Sequence, residues 1–302
     1  MLDGFYQLPD SFLQDSHDEK TKIEYLKRNT VSREKKRMVS LSFFLMQWFG
    51  IIFLVTGYPS TPCPQEWRKD PIMKDLVVLS DAVSWDGCSD VRGYQCIQDV
   101  HGKYDTRMKI YQTNAVTVFV FRPTQNTAPG QDIHKNRKLV SCIPLLGEGC
   151  LGTVNDRFQE AFCSLMGQVD LQHELNSSKA VYLTGHSLGG ALQLMMGVYL
   201  YFRFSVVPSK MIGFAGPFIG DTTFTEKYVK GLRSVMSECW QIETIDQGYP
   251  QQYDGTVEGY QVDGPPYMQI ETSMICGIPI DPLPDSYGLH DLRNYALFFE
   301  AS

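Results

Sequence analysis

The stretch "YLTGHSLGGAL", residues 182 to 192, sets Ser187 between Gly185 and Gly189. A serine hydroxyl is a weak nucleophile until a base takes its proton and fixed dipoles await the negative charge that forms. The flanking sequence predicts the frame for such chemistry. Ahead of the serine, "KAVYLT" is a short β-branched and aromatic run; behind it, "LGGALQLMMGVYLYF" is apolar over a helix's length. Strand, sharp turn and helix follow in that order. In a G-x-S-x-G elbow the serine backbone is strained, and Gly185 and Gly189 must lack side chains so that strand and helix can close around it. The helix N-terminus then directs its N–H groups and positive dipole end at Ser187.

A nucleophile of this kind needs a base, and His290 is the sole histidine after Ser187. On α/β-hydrolase scaffolds the triad runs serine, acid, histidine along the chain, which makes His290 the base. It stands in "DSYGLHDLRNYALFF", a loop ahead of a predicted helix. Among the intervening carboxylates, Asp246 closes the apolar-rich run "CWQIETID" and reads as a group at a strand's C-terminal edge, where α/β sheets present functional side chains. Asp254, Asp263, Asp281 and Asp285 sit among glycines and prolines in loops, and Asp285, five residues from His290, is the alternative acid.

These motifs require a large α/β core, and the composition allows one: 302 residues, 43% hydrophobic and 20% charged. A net charge of -7 without a basic stripe offers no electrostatic footprint for nucleic acid. With no C-x-x-C pair and only scattered histidines, no metal site or cofactor is expected. The first 37 residues are polar and charged, ending in "SREKKR", and are predicted to form a cytosolic tail. Residues 38–58, "MVSLSFFLMQWFGIIFLVTGY", are apolar over the length that spans a bilayer core of roughly 30 Å, with Lys and Arg clustered upstream. They read as a transmembrane signal anchor, or as a signal peptide whose removal yields a secreted protein. All eight cysteines, from Cys63 to Cys276, follow this run, as disulfides on a lumenal or extracellular side would require. Asn176-Ser-Ser adds a glycosylation sequon. The stretch "PSTPCPQEW" after the apolar run reads as a short connector, so the domain is expected to work on the membrane that holds it or one pressed against it.

Over about residues 110 to 300 the chain resembles the fungal-type, class 3 lipases of the α/β-hydrolase fold. The resemblance rests on "VYLTGHSLGGAL", on "MIGFAGPFIGDTTF" (211 to 224), on the distance from Ser187 to Asp246, and on "HDLRNYAL", similar to the family's H-x-L-x-x-Y. It implies a mostly parallel central sheet for residues 59–302 and a Ser187-Asp246-His290 triad cleaving carboxylic esters of glycerolipids at a membrane surface, as an acylglycerol lipase or a phospholipase A1. "AVTVFVFRPTQ" is similar to the strand ending in R-G-T, which implies an oxyanion hole made by Thr124 and the backbone N–H of Leu188. Two positions depart from the family. Pro123 replaces a glycine, and "TVNDRFQEAF" (153 to 162) stands where V-H-x-G-F is usual, with Asn155 for the histidine and Arg157 for the glycine. These departures favour an alternative, a catalytically silent lipase-like module that binds lipid or protein. Residues 125 to 153 fall where the family carries its lid, and "SCIPLLGEGCLG" within them is apolar enough to serve as one or to be a plain crossover.

Overall fold

The computed structural model describes residues 61–133, 135, 138–175, 179–217, 219–246, 249–250, 275–279 and 292–300. All fall within one unit, Pro59–Ser302. The predicted tail 1–37, the apolar segment 38–58, the Asn176 sequon, Asp254, Asp263, Asp281, Asp285 and His290 lie outside the described residues. Among the described residues no helix is long and apolar enough to cross a membrane, and no cluster of His, Cys, Asp and Glu could hold a metal ion.

Eleven strands are described: β1 (Thr61–Pro62), β2 (Gln95–His101), β3 (Arg107–Gln112), β4 (Val116–Phe121), β5 (Leu139–Ser141), β6 (Thr153–Asn155), β7 (Ala180–His186), β8 (Lys210–Phe214), β9 (Cys239–Asp246), β10 (Tyr249–Pro250) and β11 (Ile275–Pro279). The main sheet has the order β1-β11-β9-β8-β7-β4-β3-β2, with β10 paired to β9. From β4 to β1 that path is parallel; β3 and β2 continue it antiparallel, and β10 runs antiparallel beside β9. The sheet is therefore mostly parallel, as the resemblance implied. Strands β4 and β8 are buried almost throughout, as "VTVFVF" and "KMIGF" require when both faces are covered, whereas edge strand β2 is exposed at several positions.

One face of the sheet carries α1 (Pro71–Ala82) and, at the end of the chain, α4 (Leu292–Glu300); the other carries α2 (Asp156–Met166) and α3 (Leu188–Phe204). Each has a legible cause. The Asp70 side chain caps α1 by accepting from the Ile72 N–H at 2.8 Å, Pro71 occupies the first helical position, and Met73, Leu76, Val77 and Ser80 form the buried stripe at helical spacing. In α2 the buried residues Phe158, Ala161, Phe162 and Leu165 repeat the pattern. Helix α3 is buried on nearly every side, which accounts for a sequence without a polar face.

The expected connector is shorter than predicted. β1 already pairs with β11 at Thr61–Pro62, Cys63 is disulfide-bonded to Cys276, and Trp67 is buried against Trp240. Two residues are too few for strand periodicity to show, so only the distant partner strand makes this segment part of the sheet. Two further disulfides, Cys88–Cys96 and Cys142–Cys150, bear out the expectation of cystine bridges, while Cys163 and Cys239 are free thiols. Burial pushes the Cys239 thiol up to about 12, as befits a small core residue.

Candidate active site

Ser187 follows the last residue of β7 and caps α3 with φ 54° and ψ -124°. A non-glycine residue there costs on the order of 1–3 kcal/mol and persists only where its surroundings impose it. They do so from both sides. The Ser187 N–H donates to the Phe214 carbonyl at the end of β8, and its own carbonyl accepts from the Gly190 N–H, each at 2.8 Å. The glycines make this turn sterically possible. A Cβ on Gly185 would stand 2.5 Å from the Gly189 carbonyl oxygen, and one on Gly189 would drive into the Phe121 carbonyl. Gly190 is equally constrained, with Gly216 Cα 2.8 Å from any added Cβ, a role that the doubled glycine in "LGGAL" could have signalled.

The loop leaving β4 crosses the first turn of α3, since the Phe121 carbonyl faces Gly189 and the Arg122 carbonyl carbon lies 3.3 Å from the same added Cβ. Thr124, half-buried, follows two residues on. Leu188 is the first residue of α3, and the N–H groups of a helix's first turn have no intrahelical acceptor. Strand register sets His186, Phe214 and Ile242 level across β7, β8 and β9, and Asp246 ends β9 four residues further along, at the C-terminal edge of the same parallel run. Helix α4 begins at Leu292, two residues beyond His290. Its Tyr295 is fully buried, with ring centroids 5.3 Å from Phe214 and 6.2 Å from His186, so the helix after the candidate base is seated on the strands that flank the elbow.

The positions that depart from the family have structural work of their own. Asn155 Oδ1 accepts from the Arg157 and Phe158 N–H groups at 3.0 and 3.2 Å, capping α2. Arg157 donates to the Tyr104 hydroxyl and lies 5.4 Å from that ring's centroid. Within "MIGFAGPFIGDTTF", Asp221 accepts from the Thr153 N–H and hydroxyl at 3.0 and 2.7 Å and from the Phe224 N–H at 2.8 Å, tying the turn after β8 to β6. The apolar stretch read as lid or crossover is stapled by Cys142–Cys150. Leu145 is buried there, Leu146 packs on the core, and Leu151 is 50% exposed.

A strained serine at a glycine-lined strand-to-helix turn, on a mostly parallel sheet between helical layers, defines an α/β-hydrolase-like fold. Residues 109–241 match the family model described as "Lipase (class 3)". The match takes in Thr124, Gly185, Ser187, Leu188 and Gly189 and ends before Asp246 and His290. Protein EDS1 of Arabidopsis thaliana is 24% identical over 134 residues, 38% of this chain and 22% of that protein. Protein EDS1B of the same plant is 28% identical over 112 residues, 33% and 18% respectively. The chain thus spans about a fifth of the length of the curated relatives it matches. The crystal structure of Lip2 lipase from Yarrowia lipolytica superposes with a TM-score of 0.51 at 17% identity, covering 66% of this chain and 80% of that one, a likeness of fold.

Proposed function

We propose that the chain is a serine hydrolase of glycerolipid carboxylic esters. The observation that carries this reading is the Ser187 backbone, held at φ 54° by glycines that leave no room for a side chain. Strain of this kind collects at active sites, ligand clamps and switch regions, and the strand-to-helix turn around Ser187 fits a nucleophile elbow among them. In the proposed mechanism His290 takes the Ser187 proton as its oxygen attacks the ester carbonyl, and Asp246 orients His290 and stabilises its charged form. The oxyanion is received by Thr124 and the Leu188 N–H. His290 then gives the proton to the departing alcohol, and water, activated by the same imidazole, releases the acid and restores the serine. A lipid substrate agrees with the class 3 lipase match and with an apolar segment 38–58, which we propose anchors a lumenal or extracellular catalytic domain.

Labelling by a fluorophosphonate probe is the decisive experiment. The full-length wild type is expected to label and Ser187→Ala to remain unlabelled; failure of the folded wild type to label would favour the silent lipid- or protein-binding alternative, which Pro123 supports. Protease protection on sealed microsomes tests the anchor, with a tag before Met1 digested and the domain carrying Ser187 protected.

A further inference from the structure

The segment Arg122 to Thr127 carries Pro123 and Thr124, and one carboxylate holds both of its ends. Asp105 Oδ1 accepts from Arg122 Nη2 at 2.7 Å, and Asp105 Oδ2 accepts from the Thr127 hydroxyl at 2.8 Å. Arg122 Nη2 also donates to the Asp105 backbone carbonyl, so the guanidinium is tied to both carbonyl and carboxylate of one residue. Within the loop Gln125 Nε2 donates to the Pro123 carbonyl at 3.3 Å. Pro123 has no N–H with which to fasten the loop from within.

Asp105 is itself held in a costly place. The turn between β2 and β3 puts Tyr104 and Asp105 at φ 58° and 53°, two successive left-handed residues of which neither is glycine. Such a turn persists because its neighbours over-determine it. The Tyr104 hydroxyl donates to Glu160 Oε2 at 2.6 Å and accepts from Arg157, both on α2. The Lys103 N–H donates to Ser164 Oγ of the same helix at 2.8 Å, and the Gly102 N–H donates to the Thr106 carbonyl at 2.8 Å. Helix α2 thus fixes the turn, and the turn fixes the loop. Arg157, which stands where relatives of this type carry glycine, is part of that chain of contacts.

We infer that Asp105 is a positioning residue for the oxyanion loop: its carboxylate braces Arg122 and Thr127 and so sets where Thr124 meets the charge on the reacting carbonyl. The inference rests on the esterase reading above and adds to it the device that replaces the backbone freedom and N–H lost at Pro123. Burial alone would raise the Asp105 carboxyl, but the hydrogen bonds from Thr127 and Arg122, with the Arg122 charge, outweigh it and hold the group below its ordinary value, so the brace is ionised at neutral pH.

The test is steady-state hydrolysis of p-nitrophenyl butyrate by the full-length protein and its Asp105→Asn, Thr127→Val, Thr127→Asp and Thr127→Ser variants, with thermal melting of each. A misplaced oxyanion donor weakens only the transition state, so kcat is expected to fall about ten- to a hundredfold in Asp105→Asn and Thr127→Val with KM within about twofold. Thr127→Ser, which keeps the hydroxyl, is expected to retain kcat. Thr127 is exposed, and its hydroxyl also caps the short helix after it by accepting from the Gly130 N–H at 3.1 Å. Thr127→Asp keeps a capping oxygen but cannot donate to Asp105, so it is expected to lose kcat as Thr127→Val does and decides the matter even if Asp105→Asn fails to fold. Unchanged kcat in Thr127→Val or Thr127→Asp, or a rise in KM alone, overturns the brace and leaves the esterase reading standing. A wild type that neither hydrolyses the ester nor labels with fluorophosphonate overturns both.

Discussion

Ser187 shows how much one backbone conformation carries. Its φ of 54° turns the chain from β7 into α3 within a single residue, which sets the side chain at the N-terminal end of a 17-residue helix where dipole and unpaired amides favour an anion. The acid proposed to orient His290 belongs to the same scale. Asp246 closes β9, and an Asp that only orients an imidazole contributes through the tautomer it imposes. Asp246→Asn is therefore expected to lower kcat by about three to four orders of magnitude with the fold intact, as read by ester hydrolysis and circular dichroism. A larger loss in Asp285→Asn would move the assignment to that residue. Ser187 was legible in the sequence because serine, glycines and flanking apolar runs are contiguous. Asp105 was not, since its partners Arg122 and Thr127 lie 17 and 22 residues away and are joined to it only through space.

At the scale of elements, the elbow is a packing problem between β7, α3 and the turn after β8. Gly190→Ala places a Cβ 2.8 Å from Gly216 Cα, where backbone must move, and is expected to destabilise by about 1–3 kcal/mol and to weaken fluorophosphonate labelling. Gly167→Ala meets only the Cys163 carbonyl oxygen at 3.4 Å, so its melting temperature is expected to match the wild type within the shift that about 0.5 kcal/mol produces. Equal losses in both variants would contradict the close approach at the elbow. Strand β7 and helix α3 were readable from apolar runs of the right length bounded by glycine or polar residues, and β4 through its resemblance to the strand that ends in R-G-T. Helix α2 was not singled out, although its buried stripe at 158, 161, 162 and 165 and its Asn155 cap are plain once the helix is in view.

Across the whole molecule, the sheet is closed at one edge by its first and last described strands. β1 pairs with β11 in parallel, and Cys63–Cys276 ties them with Cα atoms 4.7 Å apart across a separation of 213 residues. A cross-link over so long a loop typically contributes about 2–4 kcal/mol. The double variant Cys63→Ser, Cys276→Ser is expected to lose that much in denaturant unfolding under oxidising conditions, and an unchanged midpoint would argue that the strand pairing suffices alone. This edge was hidden from a reading along the chain, because a two-residue strand has no period and its partner is more than two hundred residues distant. Its order of manufacture follows from the same topology. A ribosome adding about 5–20 residues per second needs roughly ten to forty seconds to make Cys276 after Cys63, and throughout that interval the outermost strand has no neighbour to join. Cys88, Cys96, Cys142 and Cys150 are all synthesised in the meantime, so of the bridged cysteines Cys63 waits longest for its native partner, and its bridge to Cys276 is the last that can begin to form.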